Sequence, residues 1–300
     1  MSKAVLLVNL GSPDSPAVPE VRRYLNEFLM DGRVIDTPWL VRRFIVGIIL
    51  INRPKESAHA YEKVWTKEGS PLVVTSRHVQ ALLQQRIRVP VELAMRYQHP
   101  SIESAVKALA AKGATEVLLI PLFPHYAMSS YETAVVRVQE VVAQLAPQMK
   151  LTVQPPYFDQ PDYIAALVAS ATDYLEKDFD HLLFSFHGIP ERHIKKSDPT
   201  GGNCLATPNC CETPSPAHAT CYRAQCFKTA AQFIEKAERL IDAFVNDASV
   251  LVLASHDLEI CRRWCNKGLW LDRGQVVRHG NIGEVIEAYQ TRKLTAPFGT

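Results

Sequence analysis

Concentrated charge of either sign is missing from this 300-residue chain: 33 Lys and Arg against 31 Asp and Glu leave a formal charge of +2. A nucleic-acid partner normally needs a concentrated basic face, so none is expected. A long apolar run is missing as well. The longest, FIVGIILI from Phe44 to Ile51, is too short to span a bilayer. Arg42, Arg43 and Arg53 flank it. One reading is a buried element; the other is an apolar lip that touches a greasy ligand or a membrane surface, a peripheral contact. No secretory leader is visible, because Met1-Ser2-Lys3 runs straight into the strand-like AVLLVNL, and the expected location is the cytoplasm. In that reducing compartment disulfides are not expected. The seven cysteines also lack the paired C-x-x-C spacing of a zinc ribbon. Five of them fall between Cys204 and Cys226, and such bunching reads as a metal site or as reactive thiols. The phosphate-cradling G-x-x-x-x-G-K-[ST] loop is absent, so ATP binding is not expected.

What is present is an ordinary globular composition, with 47% hydrophobic and 21% charged residues, in a chain long enough for two lobes. AVLLVNL, VELAM, EVLLIPL, HLLFSF and SVLVLAS read as buried strands. SIESAVKALAAKG and YETAVVRVQEVVAQLAP carry helical periodicity and stop at Gly or Pro. This alternation predicts an α/β fold with parallel sheets covered by helices, and function at the carboxyl ends of the strands. LLVNLGSP (Leu6 to Pro13) and LLFSFHGIP (Leu182 to Pro190) echo each other, as two related lobes facing a shared cleft would. An irregular insertion, DPTGGNCLATPNCCETPSP, fills Asp198 to Pro216, and the character changes again beyond about Lys228.

The stretch HLLFSFHGIPER, from His181 to Arg192, sets an imidazole, His187, at the end of an apolar run. LLFSFHGIP closely resembles the signature of the ferrochelatase family, which inserts ferrous iron into porphyrins. LVNLGSP, RPKESAHAYEKVW…GSPL (Arg53 to Leu72), AMRYQHP (Ala94 to Pro100) and PLFPHYAMSSYET (Pro121 to Thr133) resemble the same family in the same order. The resemblance covers roughly residues 3 to 228. It implies two Rossmann-like, chelatase-type lobes, with Fe²⁺ and a porphyrin (protoporphyrin or coproporphyrin) as substrates in haem synthesis. By resemblance His187 is the catalytic, metal-binding histidine. Leu10 matches a position that packs on the macrocycle face, and Arg96, Tyr97 and Tyr126 match the cleft. Arg53 and Tyr61 match positions near its mouth, where substrate carboxylates are held. A porphyrin is an apolar disc with an acidic rim, and its pyrrole N–H protons must leave as the metal enters. A neutral imidazole can accept a proton or bind the metal, but one nitrogen cannot do both.

The insertion ending SPAHATCYRAQC resembles the form in some bacterial members, and some ferrochelatases carry a [2Fe–2S] cluster. Cys204, Cys211, Cys221 and Cys226 are the candidate ligands, with free thiols the alternative. Beyond Cys226 the resemblance fails: neither an FQSR-like stretch nor the late acidic motif is found. VLVLASHDLEICRRWCNKGLWLDRGQVVRHGNIGEVIEAY is instead similar to the C-terminal part of a polysaccharide-exporting ABC-transporter ATPase, with His256 at its switch-histidine position. The expected organisation is therefore a first lobe over 1–150, a partial second lobe with the Cys-rich insertion over 151–228, and an ATPase-like fragment over 229–300. Insertion activity is expected to be impaired. A non-catalytic porphyrin- or haem-binding protein is the alternative, and an ATP-binding transport subunit a remote one.

Overall fold

The computed structural model describes residues 2–175, 182–247, 258, 261–262, 265–272 and 275–295, the side chains of 238–247, 271–272 and 292–295 excepted. It divides into two compact units, Met1–Gln160 with Gly188–Thr229, and Pro161–His187 with Ala230–Thr300.

The first unit is built on β1 (Lys3–Gly11), β2 (Val91–Tyr97), β3 (Glu116–Pro121) and β4 (Lys150–Val153). They form one wholly parallel sheet in the order β2-β1-β3-β4. The central strand is apolar at nearly every position because both of its faces are covered. Ala4, Leu6 and Val8 face helices α4 (Ile102–Ala111) and α5 (Thr133–Leu145). Val5 and Leu7 face the opposite side, against Val73 and Leu83 of α3 (Pro71–Arg86). Helix α4 shows why the sequence signals worked. Ser101 caps it by accepting the Ser104 N–H at 3.2 Å, and Gly113, at φ +74°, ends it in the left-handed region. Two helices, α1 (Val18–Leu29) and α2 (Trp39–Val64), fill the β1–β2 crossover with α3.

Helix α2 corrects the buried reading of FIVGIILI. Val46 and Leu50 face inward, whereas Leu40, Phe44, Ile48 and Ile51 are exposed, so the run is one helix with an apolar outer face. No helix among the described residues is long and apolar enough to cross a membrane. The segment 188–229 adds the short helix α7 (Glu191–Lys196), the turn-rich Cys insertion and the start of α8 (Tyr222–Asp247).

In the second unit, Val168 and Leu175 of α6 (Pro161–Leu175) pack with Phe233 and Ala237. A hairpin of β5 (Lys267–Asp272) and β6 (Gln275–Asn281) carries the helix Ile282–Thr295, with Trp270 edge-on to Tyr289 at 5.5 Å. The expected strand HLLFSF is not one over its described residues, Leu182–Phe186. Residues 182–190 have no regular structure, and Leu183 is 86% exposed. Among the described residues no strand pairs with this segment. A buried strand needs ladder partners for its N–H and C=O groups, and without them the backbone stays in water. The echo of LLVNLGSP therefore holds in sequence, and only its first copy is a described strand. SVLVLAS and His256 lie outside the described residues.

Candidate active site

The carboxyl ends of β1 and β2 lie side by side, with Gly11 in register with Tyr97. Gly11 sits at φ +106°, and a Cβ there would fall 2.0 Å from the Tyr97 carbonyl oxygen. Only glycine allows this approach, and it sets half-buried Leu10 next to the end of β2. Arg96 and Tyr97 then converge on Asp31, just past α1. Arg96 Nη2 donates to Asp31 Oδ2 at 2.6 Å and the Tyr97 hydroxyl donates to the same oxygen at 2.9 Å. Thr133, the first residue of α5, donates its hydroxyl to Asp31 and accepts Arg96 Nε at 2.8 Å. The Arg33 N–H donates to the other carboxylate oxygen at 2.7 Å. Burial raises the Asp31 pKa, but the hydrogen bonds from Thr133 and the Arg33 amide, and the Arg96 charge, outweigh it and hold the carboxyl below its ordinary range. Burial, then the Asp31 charge, pushes the Tyr97 hydroxyl well up.

Tyr97 is fully buried beneath aromatic rings. Phe28 and Tyr24 meet it edge-on at 5.3 and 6.3 Å, and Tyr24 in turn meets Tyr61 of α2 edge-on at 6.3 Å. Tyr61 is thus joined to the β2 end through Tyr24. Arg53, two turns earlier on α2, is exposed and 3.4 Å from the equally exposed Glu56. Beyond β3, Tyr126 donates its hydroxyl to Glu132, whose other oxygen accepts Arg33 Nε at 2.9 Å. Glu132 closes a π-helical turn, Met128–Glu132, just before Thr133.

The Cys-rich insertion is gathered by two polar anchors. Asp198 accepts the N–H groups of Thr200, Asn203 and Cys204, each at 2.8 Å. Gln225, fully buried, donates to His218 O and Ala219 O and accepts the Tyr126 N–H at 2.6 Å. The Cys210 and Cys211 thiols lie 4.0 Å apart. Burial and neighbouring thiols push Cys204 and Cys211 up to about 12, and burial takes Cys226 to about 11. Among the described residues no group of three or more His, Cys, Asp or Glu is placed to hold a single metal ion.

His187 is exposed and ends the first segment of the second unit, four residues before α7 begins at Glu191. The structure thus brings together Leu10, Arg96, Tyr97 and Tyr61, with Tyr126 joined through Glu132 and Arg33, and leaves Arg53 outside that network. Sequence reasoning missed Asp31, Arg33, Glu132, Thr133 and Gln225. Glu132 and Thr133 sit inside the quoted PLFPHYAMSSYET and Gln225 inside SPAHATCYRAQC, so a signal existed for these; nothing marked Asp31 or Arg33.

A parallel sheet covered by helices makes this an α/β protein, and the polar, aromatic cluster sits at the carboxyl edge where such folds bind ligands. The sequence profile described as Ferrochelatase matches residues 2–250. A ferrochelatase of Stutzerimonas stutzeri (strain A1501) is 53% identical over 237 residues, 78% of this chain and 70% of that protein. Those of Pseudomonas fluorescens (strain Pf0-1) and Opitutus terrae (strain DSM 11246 / JCM 15787 / PB90-1) are 54% and 55% identical. They align over 78% and 76% of this chain, and 69% and 67% of their own lengths. The chain belongs to the ferrochelatase family, enzymes of haem biosynthesis that insert metal into a porphyrin. The match runs to residue 250, past the boundary expected near 230.

Proposed function

We propose that this chain inserts Fe²⁺ into a porphyrin, protoporphyrin IX or coproporphyrin III, with His187 as the residue that accepts a pyrrole proton or binds the metal. Family membership supports the reaction. The observation that carries the binding half is the Asp31 network, which fixes Arg96 and Tyr97 beside Leu10 at the carboxyl ends of two parallel strands. In this reading Leu10 packs on the macrocycle, and Arg96, Tyr97 and Tyr126 line the cleft. The charge of Arg96 is already met by Asp31. Arg53 shares only a solvent-exposed pair with Glu56, a type worth about 0–1 kcal/mol, and can exchange it for a substrate carboxylate. Tyr61, joined to the buried ring of Tyr97 through Tyr24, keeps its place beside that rim.

Insertion should run below the rate of the longer relatives. The late acidic motif is not found in the sequence, and His187 is exposed on a segment that pairs with no strand among the described residues. That exposure is also what favours the second reading, porphyrin binding without insertion. A cluster on Cys204, Cys211, Cys221 and Cys226 belongs to the proposal; bound there, it would tie the insertion together and supply a redox-active centre. The exposed face of α2 supports a peripheral membrane contact, and we keep a cytoplasmic location. Three regions, 1–150, 151–228 and 229–300, remain our division. The likeness of 229–300 to a polysaccharide-exporting ATPase belongs to the proposal as well, without ATP binding.

Porphyrin titration followed by its absorption band tests the binding half. A saturable shift that weakens when Arg96→Ala and Tyr97→Phe are combined is expected. No saturable shift, or one indifferent to that pair, would sink the reading.

A further inference from the structure

Metal insertion releases two pyrrole protons, and a single imidazole nitrogen takes one. The first unit holds a carboxylate in a position to account for the other. Glu132 ends the π-helical turn Met128–Glu132, an irregularity that recurs at functional sites. One of its oxygens accepts the Tyr126 hydroxyl and the other accepts Arg33 Nε at 2.9 Å. The Arg33 amide, in turn, donates to Asp31, the anchor of Arg96 and Tyr97. Tyr126 is therefore held by its backbone through Gln225 and by its hydroxyl through Glu132. The Glu132 side chain keeps 27% of its surface exposed, so a proton arriving there has a way to water.

We infer that Glu132, acting through the Tyr126 hydroxyl, is the acceptor for one of the two pyrrole protons. The inference rests on the proposed function, in which Tyr126 lines the porphyrin cleft. The phenolic oxygen takes the proton from the pyrrole nitrogen as its own O–H proton passes to the Glu132 carboxylate. The porphyrin loses one proton, Glu132 gains one, tyrosine ends unchanged, and Glu132 discharges to solvent. Arg33 holds the far oxygen, leaving the near one aimed at the hydroxyl. The arrangement offers a carboxylate where the sequence lacks the late acidic motif, and Glu132 is a positioning and proton-accepting partner of Tyr126 that need not touch the substrate.

The test is steady-state insertion of Zn²⁺ into protoporphyrin IX by the full chain, comparing E132Q, E132A, Y126F, the E132Q/Y126F pair and H187A. E132Q should lower kcat about 10²-fold and leave the porphyrin KM within about threefold. Formate, a small carboxylate, should restore E132A in a concentration-dependent way, which a structural role of Glu132 would not allow. The double variant should be no slower than the slower single, because the two residues act as one unit. If E132A fails to fold, the near-isosteric E132Q and Y126F decide the matter on kcat and non-additivity alone. E132Q within about twofold of wild type, a loss confined to KM, or folded E132A indifferent to formate would overturn the inference. With wild type active and H187A dead, those results leave the proposed function standing. A wild type that inserts no metal overturns both.

Discussion

Arg96 Nη2 lies 2.6 Å from Asp31 Oδ2, and the Asp31 side chain is only 5% exposed. One carboxylate thereby fixes an arginine, a buried tyrosine and the first residue of a helix. Asp31→Asn removes the charge and leaves the Arg96 guanidinium buried without its counter-ion. Breaking a buried pair on one side typically costs about 3–5 kcal/mol. Urea unfolding should show a loss of that order, with porphyrin affinity weakened alongside it. A variant as stable as wild type would mean that water reaches Arg96 freely.

Asp36 makes a pH-dependent anchor for α7. The Lys196 ammonium donates to it at 2.6 Å and Arg192 Nε at 2.5 Å, while buried His193 stands 3.5 Å away. The hydrogen bond from Lys196 lowers the Asp36 pKa, burial opposes it, and Arg192 lowers it further. A carboxyl with a depressed folded-state pKa stabilises the fold above its unfolded value of about 3.9, and that contribution is lost as pH falls through the folded value. Asp36→Asn should therefore be less stable than wild type at pH 7, with the gap narrowing on acidification below about pH 3.9. Urea melts across pH check this; a gap that widens in acid would contradict it.

The thiols give a chemical readout. Anaerobically purified protein should be red-brown, with visible absorption that Cys221→Ser or Cys226→Ser abolishes. Without iron, Cys204 and Cys211, pushed up to about 12, stay protonated at pH 8. Their thiolate fraction is then roughly 10³-fold below that of a free cysteine, and alkylation should slow accordingly. Colourless protein without iron or sulfide, combined with fast alkylation of both thiols, would refute the assignment.

The first lobe was legible because its signals are local. Buried parallel strands read as apolar runs, and Ser101 and Gly113 bracket α4 in the chain as they do in space. Leu10, Arg96 and Tyr97 could be named because they sit in motifs at strand ends. Asp31 could not, because its partners lie 65, 66 and 102 residues away and no spacing pattern marks them. The second lobe was misread at Leu182 to Phe186 for a related reason. Apolar content predicts burial, but a strand also needs neighbours, and the described residues supply none. The outer face of α2 carries the same lesson: Phe44 and Ile48 are as apolar as Val46 and Leu50 yet point outward.

The central claim is that this chain inserts metal into a porphyrin by means of His187. Steady-state insertion of Fe²⁺ or Zn²⁺, measured for wild type and His187→Ala beside a longer ferrochelatase, tests it most directly. The account predicts turnover that is measurable, below that of the longer enzyme, and lost on His187→Ala. Absence of turnover in a folded, porphyrin-binding wild type, or turnover that survives His187→Ala, would contradict it.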